Sequence, residues 1–183
     1  GAIAGLEKKF GIHYSFDGYQ QLSFLLSLCV IRIRKKEYAE IPADFGHQRA
    51  EWQGLEYDLS MAETCMESLK EYYHTDFPEG EKQFTVLVLG AAEIQEFTDE
   101  ASRQTYMEAN QNICRVTDKV ISITGNILGQ GLDRDDYLFD SLLLYMKSKT
   151  LKLRCGILEE NPLKEVVKSK YPNIYAAAWS ASL

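Results

Sequence analysis

The sequence predicts an all-α fold built as two tandem helical bundles. Three observations carry that expectation. Apolar residues recur at helical spacing, most clearly Leu22, Leu25, Leu26, Cys29, Val30 and Ile33. Only 4 of 183 residues are proline, so long helices can run uninterrupted. Residues 23–38 can also be laid over residues 141–156. Both begin Ser-x-Leu-Leu, are apolar early and turn basic in the last turn, and each precedes a loop with a proline, Pro42 or Pro162.

Composition narrows the function classes. Hydrophobic residues make up 45% of the chain, which supports a real core and argues against disorder. The length allows one large domain or two of roughly 90 residues. The net charge of −7 argues against gripping a phosphate backbone, which needs a basic face. Cys29, Cys65, Cys114 and Cys155 are widely spaced with no CxxC pair, so we read them as reduced, buried thiols of a cytosolic protein and expect no metal site. No apolar run reaches about 18 residues, so no membrane span is expected.

The elements follow in order. Ile3, Leu6 and Phe10, with Ala2, make a short amphipathic helix closed by Gly11. Ser15 or Asp17 caps the next one. In residues 22–36, Phe24, Leu28 and Ile31 extend the apolar surface to other faces, so this helix is expected at the centre of the fold. Its basic end, Arg32 to Lys36, reads as a solvated terminus that offsets the helix dipole, with an anion site as the other reading.

Residues 42–46 read as a loop, and Trp52 begins a helix with a core stripe of Leu55, Leu59, Ala62, Met66, Leu69 and Tyr73. Asp76 and Pro78 announce another start. Residues 84–92, FTVLVLGAA, are β-branched enough for a buried strand, but no partner strand is evident, so a helix is expected. Residues 98–102 are polar and mark a domain boundary. Tyr106, Ala109, Ile113, Val116, Val120, Ile123 and Ile127 then read as one long helix, broken by Gly125, Gly129 and Gly131. Those glycines do not make a phosphate-binding loop, since no lysine follows and no strand precedes. Leu138, Phe139, Leu142, Leu143, Met146, Thr150 and Leu153 form the next helix.

Residues 151–179 are the most informative stretch. Arg154 and Gly156 fit a helix C-terminus. Asn161 reads as an N-cap, Pro162 as the first helical residue, and Pro172 as a stop, while Leu163, Val166 and Val167 give one apolar edge. Gly156-Ile157, Asn161-Pro162-Leu163, Lys168 and Tyr171-Pro172 together resemble the signature of phosphotransferase-system regulation domains (PRDs), all-helical modules of bacterial transcription regulators. Phe77-Pro78, Glu81 and Phe84 resemble the start of that family's last helix. Residues 19–26, leading into Ile31, Arg32 and Ile33, are similar to Mga-type virulence regulators. The resemblance implies a first PRD-like bundle at 1–97 and a second at 98–183. The second stops short of the family's last helix, through excision or a diverged C-terminus.

The same resemblance implies a signal-receiving, dimerising region of a cytoplasmic regulator. Its DNA-binding part would lie outside this chain, and phosphotransferase-system carrier proteins would be partners. The family's switch is a phosphorylated histidine. Its position in the long helix ahead of Asn161 is Tyr145 here, and the matching position in the first copy is Ser27. His13 and His47 read as exposed turn or loop residues and His74 as a helix-end cation. His74, followed by Thr75 and Asp76, is the remaining candidate for phosphorylation. We expect a chain that keeps the architecture and has lost the usual phosphosites.

No nucleophile–base set is visible, and the acidic pairs Glu159-Glu160 and Asp135-Asp136 suit loops and helix starts, so no enzyme and no cofactor are expected. The apolar run at 174–183 lacks a polar face. Ile174, Tyr175 and Trp179 are therefore interface candidates, within the chain or in a homodimer. A helical small-molecule sensor is the alternative, which an apolar cavity between the bundles would favour.

Overall fold

The computed structural model describes residues 1–40, 52, 54–157, 161 and 163–181. Among these the chain is all-α apart from one two-stranded ribbon. The helices are α1 (Ala2–Phe10), α2 (Phe16–Lys35), α3 (Leu55–Tyr73), α4 (Glu79–Ala91), α5 (Glu100–Ala109), α6 (Gln111–Leu128), α7 (Asp136–Arg154), α8 (Lys164–Lys170) and α9 (Pro172–Ala181), with a 3-10 turn at Leu132–Arg134. The strands are β1 (Ile12–Tyr14) and β2 (Ile94–Phe97).

Local chemistry sets most helix ends. Gly11 closes α1 in the left-handed region, at φ 59°. The Ser15 hydroxyl accepts from the Gly18 N–H at 3.0 Å and starts α2. Pro78 stands at the entry to α4, whose first turn carries Glu79 and Glu81. Asp99 and Asp135 cap α5 and α7 through the N–H groups of Ser102 and Leu138. Gly129 closes α6. The loop expected at 42–46, His47 and Pro162 lie outside the described residues.

The valine-rich segment is a helix, as expected, and it is the middle one. α4 buries Thr85, Val86, Val88, Leu89 and Gly90 and packs against α2, α3 and α7. The Thr85 hydroxyl is satisfied within the helix by the Glu81 carbonyl at 2.8 Å. Burying each large aliphatic side chain here contributes about 1.5–3 kcal/mol.

Four expectations need correction. First, α2 is peripheral: Phe24 is 64% and Ile31 48% exposed, because only its Leu22, Leu26, Cys29, Val30 and Ile33 face meets neighbours. Second, a strand pair exists. β1 and β2 run antiparallel, with Ile12 opposite Phe97 and Tyr14 opposite Ile94. The pairing is extended by the Thr98 N–H on the Gly11 carbonyl and the Ser15 N–H on the Glu93 carbonyl. Third, the long helix at 106–127 is two helices. Asn110, fully buried, turns its side-chain amide back onto the Tyr106 carbonyl at 2.9 Å and separates α5 from α6. Fourth, the buried faces are rotated from the apolar stripes. α3 buries Tyr57, Asp58, Met61, Ala62 and Cys65, and α7 buries Leu143, Leu144, Lys147, Ser148, Leu151 and Lys152. Asp58, Lys147 and Lys152 lie on these buried faces, each paired with an opposite charge elsewhere in the fold.

One apolar core runs across the boundary expected at residues 97 and 98. Leu143, Leu144 and Leu151 of α7 are buried with Leu6, Leu22, Met61, Val86 and Leu89 from the first half. An aromatic row crosses the same line. Phe10, Tyr57, Tyr106 and Phe97 meet edge to face at centroid distances of 5.4, 5.2 and 5.2 Å.

Candidate functional site

The chemistry inside this core is concentrated where α7 meets α3 and α4. The Lys147 ammonium lies 2.5 Å from Asp58 Oδ2, and both side chains are almost fully buried. Trp52, just ahead of α3, donates its indole N–H to the same oxygen at 2.6 Å, and its ring lies 5.7 Å from the Lys147 nitrogen. Gly90 makes this fit possible. A Cβ there would stand 2.8 Å from Asp58 Oδ2 and 2.9 Å from both Leu151 and Trp52. Burial pushes the Asp58 carboxyl up from its ordinary range, and Lys147 and the Trp52 N–H only partly offset this.

Polar contacts continue down α7. The Ser148 hydroxyl donates to the Ala91 carbonyl at 2.7 Å, and Lys149 and Lys152 reach Glu93 at 3.4 and 3.3 Å. The sequence carries one signal for this cluster: Lys147 falls in phase with Leu143 and Leu151, and Asp58 with Met61, Ala62 and Cys65.

A second charge pair ties α2 to α4. Arg32 grips Glu81 with two bonds, Nε to Oε1 at 2.8 Å and Nη2 to Oε2 at 2.7 Å. The Ala39 N–H also donates to Oε1, and the guanidinium lies 4.6 Å over the Phe84 ring. Desolvation pushes the Glu81 carboxyl up most strongly, but Arg32, the Ala39 N–H and Cys29 together hold it below its ordinary value. The basic end of α2 is thus not simply solvated: Arg32 is partly buried on its carboxylate, and Arg34 lies 5.3 Å from the Tyr73 ring.

The positions singled out by the resemblance are spread over the surface. Ser27 is exposed on α2 and donates its hydroxyl to the Ser23 carbonyl at 2.7 Å. Tyr145 is 49% exposed on α7, with the Lys149 ammonium 5.4 Å from its ring. His74 is exposed and ends α3 in the left-handed region, at φ 51°. No contact among the described residues joins the three. His13 lies in β1 rather than in a helix-exit turn, with Nδ1 3.7 Å from Glu7 Oε1.

At the C-terminus, α9 packs along α6 through buried Ala177. Tyr175 and Trp179 stack with ring planes 14° apart, and Ile174 and Trp179 are half exposed. Leu163, Val166 and Tyr171 extend the exposed apolar edge.

A groove of about 590 Å³ lies along the α3–α4 hairpin. Trp52 lines it together with Leu55, Leu59, Met66, Phe77 and Val86, and Glu63, Glu67, Lys70, Glu79 and Lys82 contribute charge. It lies within the first half, not between the halves. Among the described residues no group of three His, Cys, Asp or Glu side chains could hold a metal ion, and no helix is long and apolar enough to cross a membrane.

Comparison of this chain with protein-family models, with curated proteins and with solved structures finds no match.

Proposed function

We propose that the chain is the regulatory, dimerising region of a cytoplasmic Mga-like transcription regulator, built from PRD-type helical bundles and controlling a DNA-binding domain outside this chain. One observation supports the reading above others: the geometry of the stretch that carries the resemblance. α7 ends at Arg154, Gly156 adopts φ 73°, Asn161 Oδ1 accepts the Leu163 N–H at 2.9 Å, and α8 stops at Lys170 ahead of Pro172. The signal passes by contact, because Ser27 and Tyr145 stand where the family carries histidine. The homodimer uses the exposed edge of α8 and α9, around Ile174 and Trp179.

Light scattering at micromolar concentration tests the dimer. A dimer that dissociates on substitution of Trp179 by Asp supports the reading, and a strict monomer removes it. Incubation with phosphorylated phosphotransferase-system carrier proteins, followed by mass spectrometry, tests the loss of phosphosites. Stoichiometric phosphohistidine, at His74 above all, would overturn that part.

The groove along α3 and α4 favours a second reading, a helical sensor of small molecules. Its volume falls in the range of ordinary ligand pockets, roughly 300–1,000 Å³. Ligand-dependent shifts in melting temperature distinguish a sensor from a module that acts through protein contacts alone.

A further inference from the structure

The row Phe139, Leu143, Lys147 and Leu151 follows one face of α7 at intervals of four. Three members are apolar and of similar reach, so apolar packing alone leaves the axial position of α7 poorly defined. A slide by one turn, about 5.4 Å, would exchange one leucine for another against α4. Lys147 breaks that degeneracy. In a slid register Leu143 or Leu151 would face Asp58, and the carboxylate would be buried without its cation. Trp52 narrows the choice further, since its N–H is aimed at the oxygen that Lys147 contacts. Gly90 removes the Cβ that would otherwise hold the three groups apart.

We propose that Trp52, Asp58 and Lys147 form a positional lock that fixes the register of α7 against α3 and α4 and adds little net stability. A buried pair is a costly way to gain stability, because desolvating both charges offsets their attraction. It is an effective way to exclude alternatives, as a single buried polar residue does in helical coiled coils. The lock is the buried ion pair among the contacts that join the two halves of the chain, beside the shared apolar core and the Ser148 bond to the Ala91 carbonyl.

The test is hydrogen exchange on the whole chain carrying Asp58→Asn with Lys147→Met. This double variant removes both charges at nearly constant volume and keeps an acceptor for the Trp52 N–H. The expected result is an unfolding midpoint close to the parent's, with α7 amides exchanging at least tenfold faster relative to those of α4. An unchanged α7-to-α4 ratio would overturn the lock. So would a large fall in midpoint with both helices exchanging faster together, which would make the pair a plain stabiliser. Glu93→Gln, which removes the carboxylate charge that Lys149 and Lys152 meet, should leave the ratio unchanged; loosening as large as in the double variant would also overturn the proposal. Should the double variant not fold, Trp52→Phe removes the indole N–H and reads the same ratio. A rise of threefold or more supports the lock, and no change overturns it.

Discussion

Asp58 and Lys147 are 89 residues apart in the chain and 2.5 Å apart in the fold. Their side chains are only 4% and 5% exposed. A contact this deep couples α3 in the first half to α7 in the second. It has a sharp consequence for single substitutions. Removing one partner leaves the other charge buried and uncompensated, which costs about 3–5 kcal/mol. Lys147→Met alone should therefore lower the unfolding free energy by that amount in a denaturant titration, much more than Asp58→Asn with Lys147→Met together. Equal losses in the single and double variants would contradict the coupling.

Glu81 gives the fold a dependence on pH. Its carboxyl is held below the ordinary value of 4.5 in the folded chain. A depressed carboxylate contributes stability that is complete above the unfolded value and is lost as pH falls through the folded one. Stability should therefore decline from about pH 4.5 downward, and Glu81→Gln should be less stable at neutral pH yet show a shallower decline. Thermal melts from pH 7 to pH 3 check this. Parallel curves would remove Glu81 as a cause.

Two helical glycines should respond to alanine with opposite sign. At Gly90 the added Cβ meets Asp58, Leu151 and Trp52 within 3 Å, so Gly90→Ala should destabilise by about 1–3 kcal/mol. Gly5 in α1 has nothing within 4 Å of its missing Cβ, so Gly5→Ala should stabilise by about 0.4–1 kcal/mol. Urea midpoints of the two variants give both signs directly.

The four thiols should separate by reactivity. Burial pushes Cys29 and Cys65 up to about 12 and also raises Cys114 and Cys155. Cys155 is the most accessible, since the other three are buried. Under native conditions a thiol reagent should label Cys155 first, with the rest following only on unfolding. Rapid modification of Cys29 or Cys65 would contradict the packing of α2 or α3.

Helix ends were readable in the sequence because their chemistry is local. Gly11, Ser15, Pro78, Gly129 and Pro172 each act within a few residues of chain, whereas α8 begins at Lys164 with Leu163, not Asn161, at its N-cap position. The ribbon of β1 and β2 was not readable. Its strands are three and four residues long, and its partners lie at opposite ends of the first half. The rotation of the buried faces was hidden for a related reason. Asp58, Lys147 and Lys152 look like surface residues until their partners are brought in from elsewhere in the chain. The break at Asn110 depends on a buried amide that nothing nearby in sequence announces. Of the candidate positions, Ser27 and Tyr145 could be numbered from the motif and His74 only picked from the remaining histidines, but the Asp58–Lys147 pair could not be found, because it belongs to no motif.

α7 shares one core with α3 and α4 and is held there by the Asp58–Lys147 contact. Native-state hydrogen exchange across a series of low denaturant concentrations reads this arrangement. The amides of Leu89 in α4 and of Leu143 and Leu151 in α7 should converge on one opening reaction, equal to global unfolding. Exchange of the α7 amides through a separate opening of much lower free energy, with α4 still protected, would contradict it.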